Sequence, residues 1–135
     1  MFEPYIEDFA LMVEAGFVAV YQGDEANARK LFHAASLLKP EHPAPKLGLS
    51  HIAIHKLQLD EARTLLEEVL TRESDNQIAR ALLGLCLLLG KTNKGEGIAL
   101  IQEAMSKTSE TSVHNLGQAA MTWLENEERK ARIVK

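Results

Sequence analysis

His51 and His55 stand four residues apart in the run His51-Ile52-Ala53-Ile54-His55, so on a helix both imidazoles project from one face, one turn apart. That is the spacing of a zinc-binding pair when a third ligand converges on it. No Glu follows the first His, and no nearby Cys or Asp is brought to the pair by sequence. Against the metal stands a second reading, a polar spot that hydrogen-bonds a partner's backbone or weakens its grip on acidification. His33, His42 and His114 read as ordinary surface or inter-repeat residues. Cys86 is the only cysteine and sits in the apolar run Ala81-Leu82-Leu83-Gly84-Leu85-Cys86-Leu87-Leu88-Leu89. An internal disulfide is impossible, and burial among leucines would raise the thiol pKa and suppress the reactive thiolate, so Cys86 reads as a small core residue. Gly90, Gly95 and Gly97 flank a turn with Lys91 and Lys94, but the strand that a phosphate loop requires is missing. With no nucleophile elbow and no catalytic carboxylate pair, the chain reads as a binding protein, not an enzyme, with no cofactor and no bound metal.

The elements that would position these residues are helical. The chain has 135 residues, 46% of them apolar, 5% aromatic and only 4 proline, and no stretch alternates Val, Ile and Thr as a strand does. An all-α domain spanning 1–135 is expected, long enough to bury a core. Seven helices are read at roughly Pro4–Gln22, Asp24–Leu38, Ala44–Lys56, Leu59–Arg72, Asp75–Leu89, Lys94–Lys107 and Ser112–Arg132. Gly23-Asp24, Lys39-Pro40 and Gly90 end or cap them through flexible or proline backbone and a side chain that accepts from free amides. Fifteen basic residues against 19 acidic give a net charge of -4, which disfavours a nucleic-acid partner. The basic tail Arg129–Lys135 follows Glu125, Glu127 and Glu128, an order that suits a solvated helix and its dipole rather than a membrane or nucleic-acid contact. The acidic start Met1–Asp8 lacks the basic and then apolar regions of a secretory signal, and no apolar run is long enough to span a bilayer. A soluble cytoplasmic protein is expected.

Ala28, Phe32, Ala35 and Pro40 return 34 residues later as Ala62, Leu66, Val69 and Ser74. Small residues at fixed spacing let two helices approach, a large one fills the space between them, and proline ends the second helix. This pattern resembles the tetratricopeptide repeat, a helix–turn–helix unit that stacks into a solenoid. Repeats are placed at about 9–42, 43–76 and 77–110. The first carries Gly16 and Gly23. The second is degenerate, with Ser50 in place of the glycine and Leu57 at the turn, and the third has Leu83 and Gly84 but needs one residue inserted in the turn Gly90–Gly95. A C-terminal helix at about 112–132, with Val113, Leu116, Ala119, Ala120, Trp123 and Leu124 on one face, is expected to cap the last apolar face; a partner contact is the other role open to Trp123. The resemblance implies about three repeats in a short right-handed superhelix.

In tetratricopeptide proteins the first helix of each repeat lines a concave groove, chiefly at positions 2, 5, 9, 12 and 13. Carried onto this chain, these give Ala10 and Ala44 together with a partner-binding groove of Val13, Phe17, Val20, Tyr21, Leu47, His51, Ile54, His55, Ile78, Ala81, Leu85, Leu88 and Leu89. It is almost wholly apolar. Repeats that grip acidic chaperone tails use Lys, Asn and Arg there, and Val13, Phe17, Gly48, Ile78 and Leu82 offer none. Exposed apolar surface costs roughly 25 cal/mol per Å², so something should cover the groove. Either a terminal segment, Met1–Glu7 or the last helix, folds back into it, or a partner's amphipathic helix or apolar segment lies there with Phe17, Tyr21 and Leu85 as anchors.

The size, repeat number and apolar third repeat, from Ala79 to Gly90 and on through Gly97-Ile98-Ala99-Leu100, resemble the tetratricopeptide-fold chaperones of bacterial type III secretion, most of all those of the needle subunit. The resemblance implies a stoichiometric holdase that covers an aggregation-prone helical export subunit in the cytoplasm, with a small helical co-chaperone as a further partner and no reaction catalysed. The alternative from another class is a self-associating repeat scaffold or adaptor, a homodimer formed through the stripe Phe2, Tyr5, Phe9 and Met12.

Overall fold

The computed structural model describes residues 6–134, most of them helical. Seven α-helices follow one another: α1 (Ile6–Tyr21), α2 (Glu25–Leu38), α3 (Ala44–His55), α4 (Leu59–Arg72), α5 (Gln77–Gly90), α6 (Lys94–Lys107) and α7 (Thr111–Val134). No strand occurs among the described residues. Where both ends are described, the helices match the sequence reading to within two residues. The later start of α5 has a local cause, because Asn76 serves as its N-cap and accepts from the Ala79 amide. Asp24 and Asn93 cap α2 and α6 in the same way, on the amides of Asn27 and Glu96. The expected start at Pro4, with Phe2 and Tyr5, lies outside the described residues.

The turn inside each repeat is built alike. Gly23, Leu57 and Lys91 occupy the same repeat position, and all three adopt positive φ, at 76°, 58° and 56°. The amides that follow close the helix end: Asp24 donates to the Ala19 carbonyl at 2.8 Å and Gln58 to that of Ala53 at 2.8 Å. Only the first repeat places a glycine in this left-handed conformation, so the second and third carry strain that their sequences do not advertise.

The chain divides into two compact units, Met1–Val69 and Leu70–Lys135, the division falling late in α4. In the first, α2 packs against both α1 and α3. Phe32 of α2 is fully buried and fills the space left by Gly16 of α1 and Gly48 of α3; a Cβ on Gly16 would come within 2.7 Å of its ring, and one on Gly48 would collide with it outright. Ala19, Val20, Ala28 and Ile52 complete this core, with Phe17 and Leu49 against it. Ser50, where the repeat pattern expects glycine, is also fully buried, its hydroxyl satisfied by donation to the Leu47 carbonyl at 2.6 Å.

The second unit repeats the scheme in α5, α6 and α7. Ile101 of α6 takes the place of Phe32, and Gly84 of α5 and Gly117 of α7 supply the room on either side. Gly84 and Gly97 go further and bring the two backbones together, so that a Cβ on either would stand 2.7 or 2.9 Å from the other's carbonyl oxygen. Cys86 is buried in α5. The α7 face bearing Val113, Ala120 and Trp123 packs on α5 and α6, while Gln118, Ala119 and Thr122 are exposed. A last helix that is polar on its outward side is how a repeat array ends without leaving an apolar face in water.

Candidate functional site

The candidate site is the set of first-helix positions assigned to a groove, and it falls partly in each unit. In the first unit Tyr21 is 78% exposed, and Val13 and Phe17 are half-buried along the same flank of α1. Phe17 lies edge-on to Phe32, with ring centroids 5.1 Å apart, and edge-on to His51 at 5.6 Å. This contact brings α1 and α3 together and makes one aromatic strip of Phe17 and His51. Leu47 is half-buried and His55 exposed on α3. Val20 and Ile54 are buried in the interior. Burial, and then the nearby His55, push the His51 imidazole below its ordinary pKa. Among the described residues no group of three or more His, Cys, Asp or Glu could hold a metal ion, so the His51–His55 pair stands without a third ligand.

In the second unit Ala81 and Leu88 are buried, and Ile78 and Leu85 pack at the margins of the same clusters as Val113, Ala120 and Trp123. The register that turns positions 5 and 12 toward a groove here turns them under α7. Ile78, Leu85 and Leu89 keep part of their surface. The accessible candidate surface is therefore Val13, Phe17, Tyr21, Leu47, His51 and His55 in one unit and Ile78, Leu85 and Leu89 in the other.

Each unit has a cleft where the turn after its first helix faces the end of its third. In the first unit it is about 180 Å³, lined by Val20, Gly23, Glu25, Ile52, His55 and Lys56. Lys56 spans it to Glu25, 3.2 Å away, and Arg29 and Lys56 hold the Glu25 carboxyl below the usual range. In the second unit it is about 560 Å³, floored by Leu88, Trp123 and Leu124, and Lys94 bridges to Glu128. That bridge lowers the Glu128 carboxyl in turn. Trp123 thus covers Leu88 and also presents surface to the cleft.

Sequence reasoning missed the exposed flank of α1 beside the candidate groove residues, where Leu11 is 64% and Val18 51% exposed. Because α1 is apolar nearly all round, periodicity could not tell a buried face from an open one. The dimer stripe expected from sequence fares differently. Phe9 is 5% exposed, tucked against the His42 ring at 4.7 Å with the Lys39 ammonium over it at 4.9 Å, and Met12 is half-buried. Phe9 therefore offers little to a second copy.

Two helical units with a shared wedge-and-glycine scheme and an open first-helix flank define a tetratricopeptide-like, all-helical binding fold. The N-terminal domain of stress-induced protein-1 (STI-1) from C. elegans superposes with a TM-score of 0.61 at 12% identity, over 86% of this chain and 96% of that one. The profile of the family described as bacterial type III secretion protein (HrpB1_HrpK) matches residues 9–123. The chain belongs to that family of type III secretion proteins. No curated protein sequence matches it. No helix among the described residues is long and apolar enough to cross a membrane.

Proposed function

We propose that this type III secretion protein is a chaperone that holds a helical, aggregation-prone export subunit of the needle kind until the secretion machinery takes it. The observation that carries the reading is the accessible apolar and aromatic flank of α1 and α3, with Phe17 and Tyr21 at its centre, in a chain of a secretion family. An amphipathic helix laid on that flank would bury its own apolar stripe against Val13, Phe17 and Leu47 and meet His51 and His55 with polar groups. The reading assigns the accessible Ile78, Leu85 and Leu89 of the second unit to the partner as well, and places the complex in the cytoplasm before export. It assigns the chain no reaction and no cofactor.

Co-expression with the helical needle-type subunit of the same secretion system, followed by size-exclusion chromatography, tests it. The wild type should co-elute with the subunit, and the Phe17→Glu, Leu85→Glu double variant should not while keeping its helical circular dichroism. Co-elution unchanged by the double variant, or none with the wild type, would contradict the reading.

A further inference from the structure

Each unit builds the cleft between its first turn and its last helix differently. In the first unit the turn residue is Gly23, which brings no side chain, and the facing helix α3 stops at His55. In the second unit Lys91 holds the place of Gly23, also at positive φ, and α7 does not stop at Leu124, the equivalent of His55, but runs on to Val134. The apolar core of this unit ends at Trp123 and Leu124. What the extension adds is a wall to the cleft, through Glu127, Glu128, Lys130 and Ala131. The cleft is about 560 Å³ here against about 180 Å³ in the first unit, a volume that suits a small molecule.

We infer that this cleft is a small-molecule site for a single-chain amphiphile with an anionic head, a fatty carboxylate, its head on Lys91 and its chain over Trp123. The floor is apolar, from Leu88 and Trp123 through Leu124, and Ala131 prolongs it on the same face of α7. From Trp123 to Ala131 the helix rises about 12 Å, room for a medium-length alkyl chain. On the rim Lys94 bridges to Glu128, and Lys130 to Glu127 at 3.5 Å. Lys91 is left as the cation of the cleft with no carboxylate partner among the described residues. A neutral chain would cover this ammonium without pairing it, and a cationic one would be repelled by it. A peptide fits less well, because its backbone amides would lie on an apolar floor whose rim carboxylates are already paired. The site is separate from the α1 and α3 flank given to the export subunit and does not depend on that reading.

Trp123 is the only tryptophan in the chain, so its emission reports on the cleft directly. Decanoate, titrated into the full chain below the concentration at which it aggregates, should change that emission saturably, and titration calorimetry should return the same affinity. Lys91→Asn, chosen because asparagine tolerates positive φ, should weaken binding at least fivefold, and Ala131→Asp at least tenfold. Lys91→Arg and Leu37→Asp should leave it within twofold. Decanol and decyltrimethylammonium should bind at least fivefold more weakly than decanoate. No saturable signal by either method, equal affinity for the three head groups, or indifference to Lys91→Asn would overturn the inference. Loss of helical circular dichroism over the same concentrations would also overturn it, by marking decanoate as a denaturant. So would binding to phosphatidylglycerol vesicles with none to monomeric decanoate, which would give the lysines to a lipid surface. Lys91 and Ala131 are exposed, so the variants should fold, and Lys91→Asn keeps the test valid if Ala131→Asp does not.

Discussion

The first unit, α1 to α3, and the second, α5 to α7, are one design with different fillings. Phe32 between Gly16 and Gly48 corresponds to Ile101 between Gly84 and Gly117. The turn-to-helix ion pair is kept with its charges exchanged, Glu25 to Lys56 in one and Lys94 to Glu128 in the other. Where α3 presents His51 and His55, α7 presents Ala120 and Leu124, and the α7 face is sealed against α5 while α3 keeps an aromatic contact at its surface. Backbone design thus depends on a few small residues and one wedge, and function is free to vary at the remaining first-helix positions. The first unit has the open, polar-tipped flank suited to recognition; in the second, a capped core takes up much of that flank.

The comparison breaks first if the two wedges do not differ in stiffness. Gly48→Ala drives a methyl into the ring of Phe32, a stiff, fully buried side chain, and should cost about 1–3 kcal/mol. In Gly117→Ala the nearest atom is the flexible Met105 thioether, so relaxation should leave the change neutral or stabilising by up to about 1 kcal/mol, through better helix propensity. Urea denaturation of both variants checks the signs, and equal losses would show the two wedges to be alike.

The turns sharpen it next. Leu57 holds φ at 58° with its side chain 67% exposed, so Leu57→Gly should stabilise the first unit by about 1 kcal/mol, the strain of a non-glycine residue in the left-handed region. Gly23→Ala should destabilise it by a similar amount. A thermal melt that moves in the same direction for both would contradict the shared-turn account.

The smallest effect is the histidine-borne pH dependence of the first unit. The folded state depresses the His51 pKa below its ordinary value of 6.5, so the unfolded chain takes up a proton first. Stability then falls as pH drops from about 6.5 through the folded pKa, and is unaffected by this group at higher pH. His51→Gln should remove this part of the acid sensitivity in urea titrations at pH 7.5 and 5.5. An unchanged difference between the two pH values would remove His51 as its source.

Much of this is legible in the chain. Ala28, Phe32 and Ala35 returning as Ala62, Leu66 and Val69 announce helix pairs, and Asp24 marks a helix start; the caps Asn76 and Asn93 went unread. Gly48 escapes notice because the repeat pattern looks for its glycine at Ser50, and the room for Phe32 is made two residues earlier. Leu57 looks like a lapsed turn because a leucine carries no sign of positive φ. Ala81 and Leu88 read as groove because first-helix register is the same whether or not a later helix lies on it. The apolar stripe of α7 signals that covering, but which face it seals depends on packing between helices distant in sequence. The exposure of Leu11 and Val18 has no signal in residue type, since α1 is apolar nearly all round.

The central claim, that the accessible first-helix flank is the binding surface, is tested most directly by methyl NMR of the full chain titrated with the needle-type export subunit. The account predicts saturable shifts at Val13, Leu47, Ile78, Leu85 and Leu89, with the exposed Leu37 of α2 unmoved. Shifts confined to Leu37 or to Leu11 and Val18, or none at a saturating excess of the subunit, would contradict it.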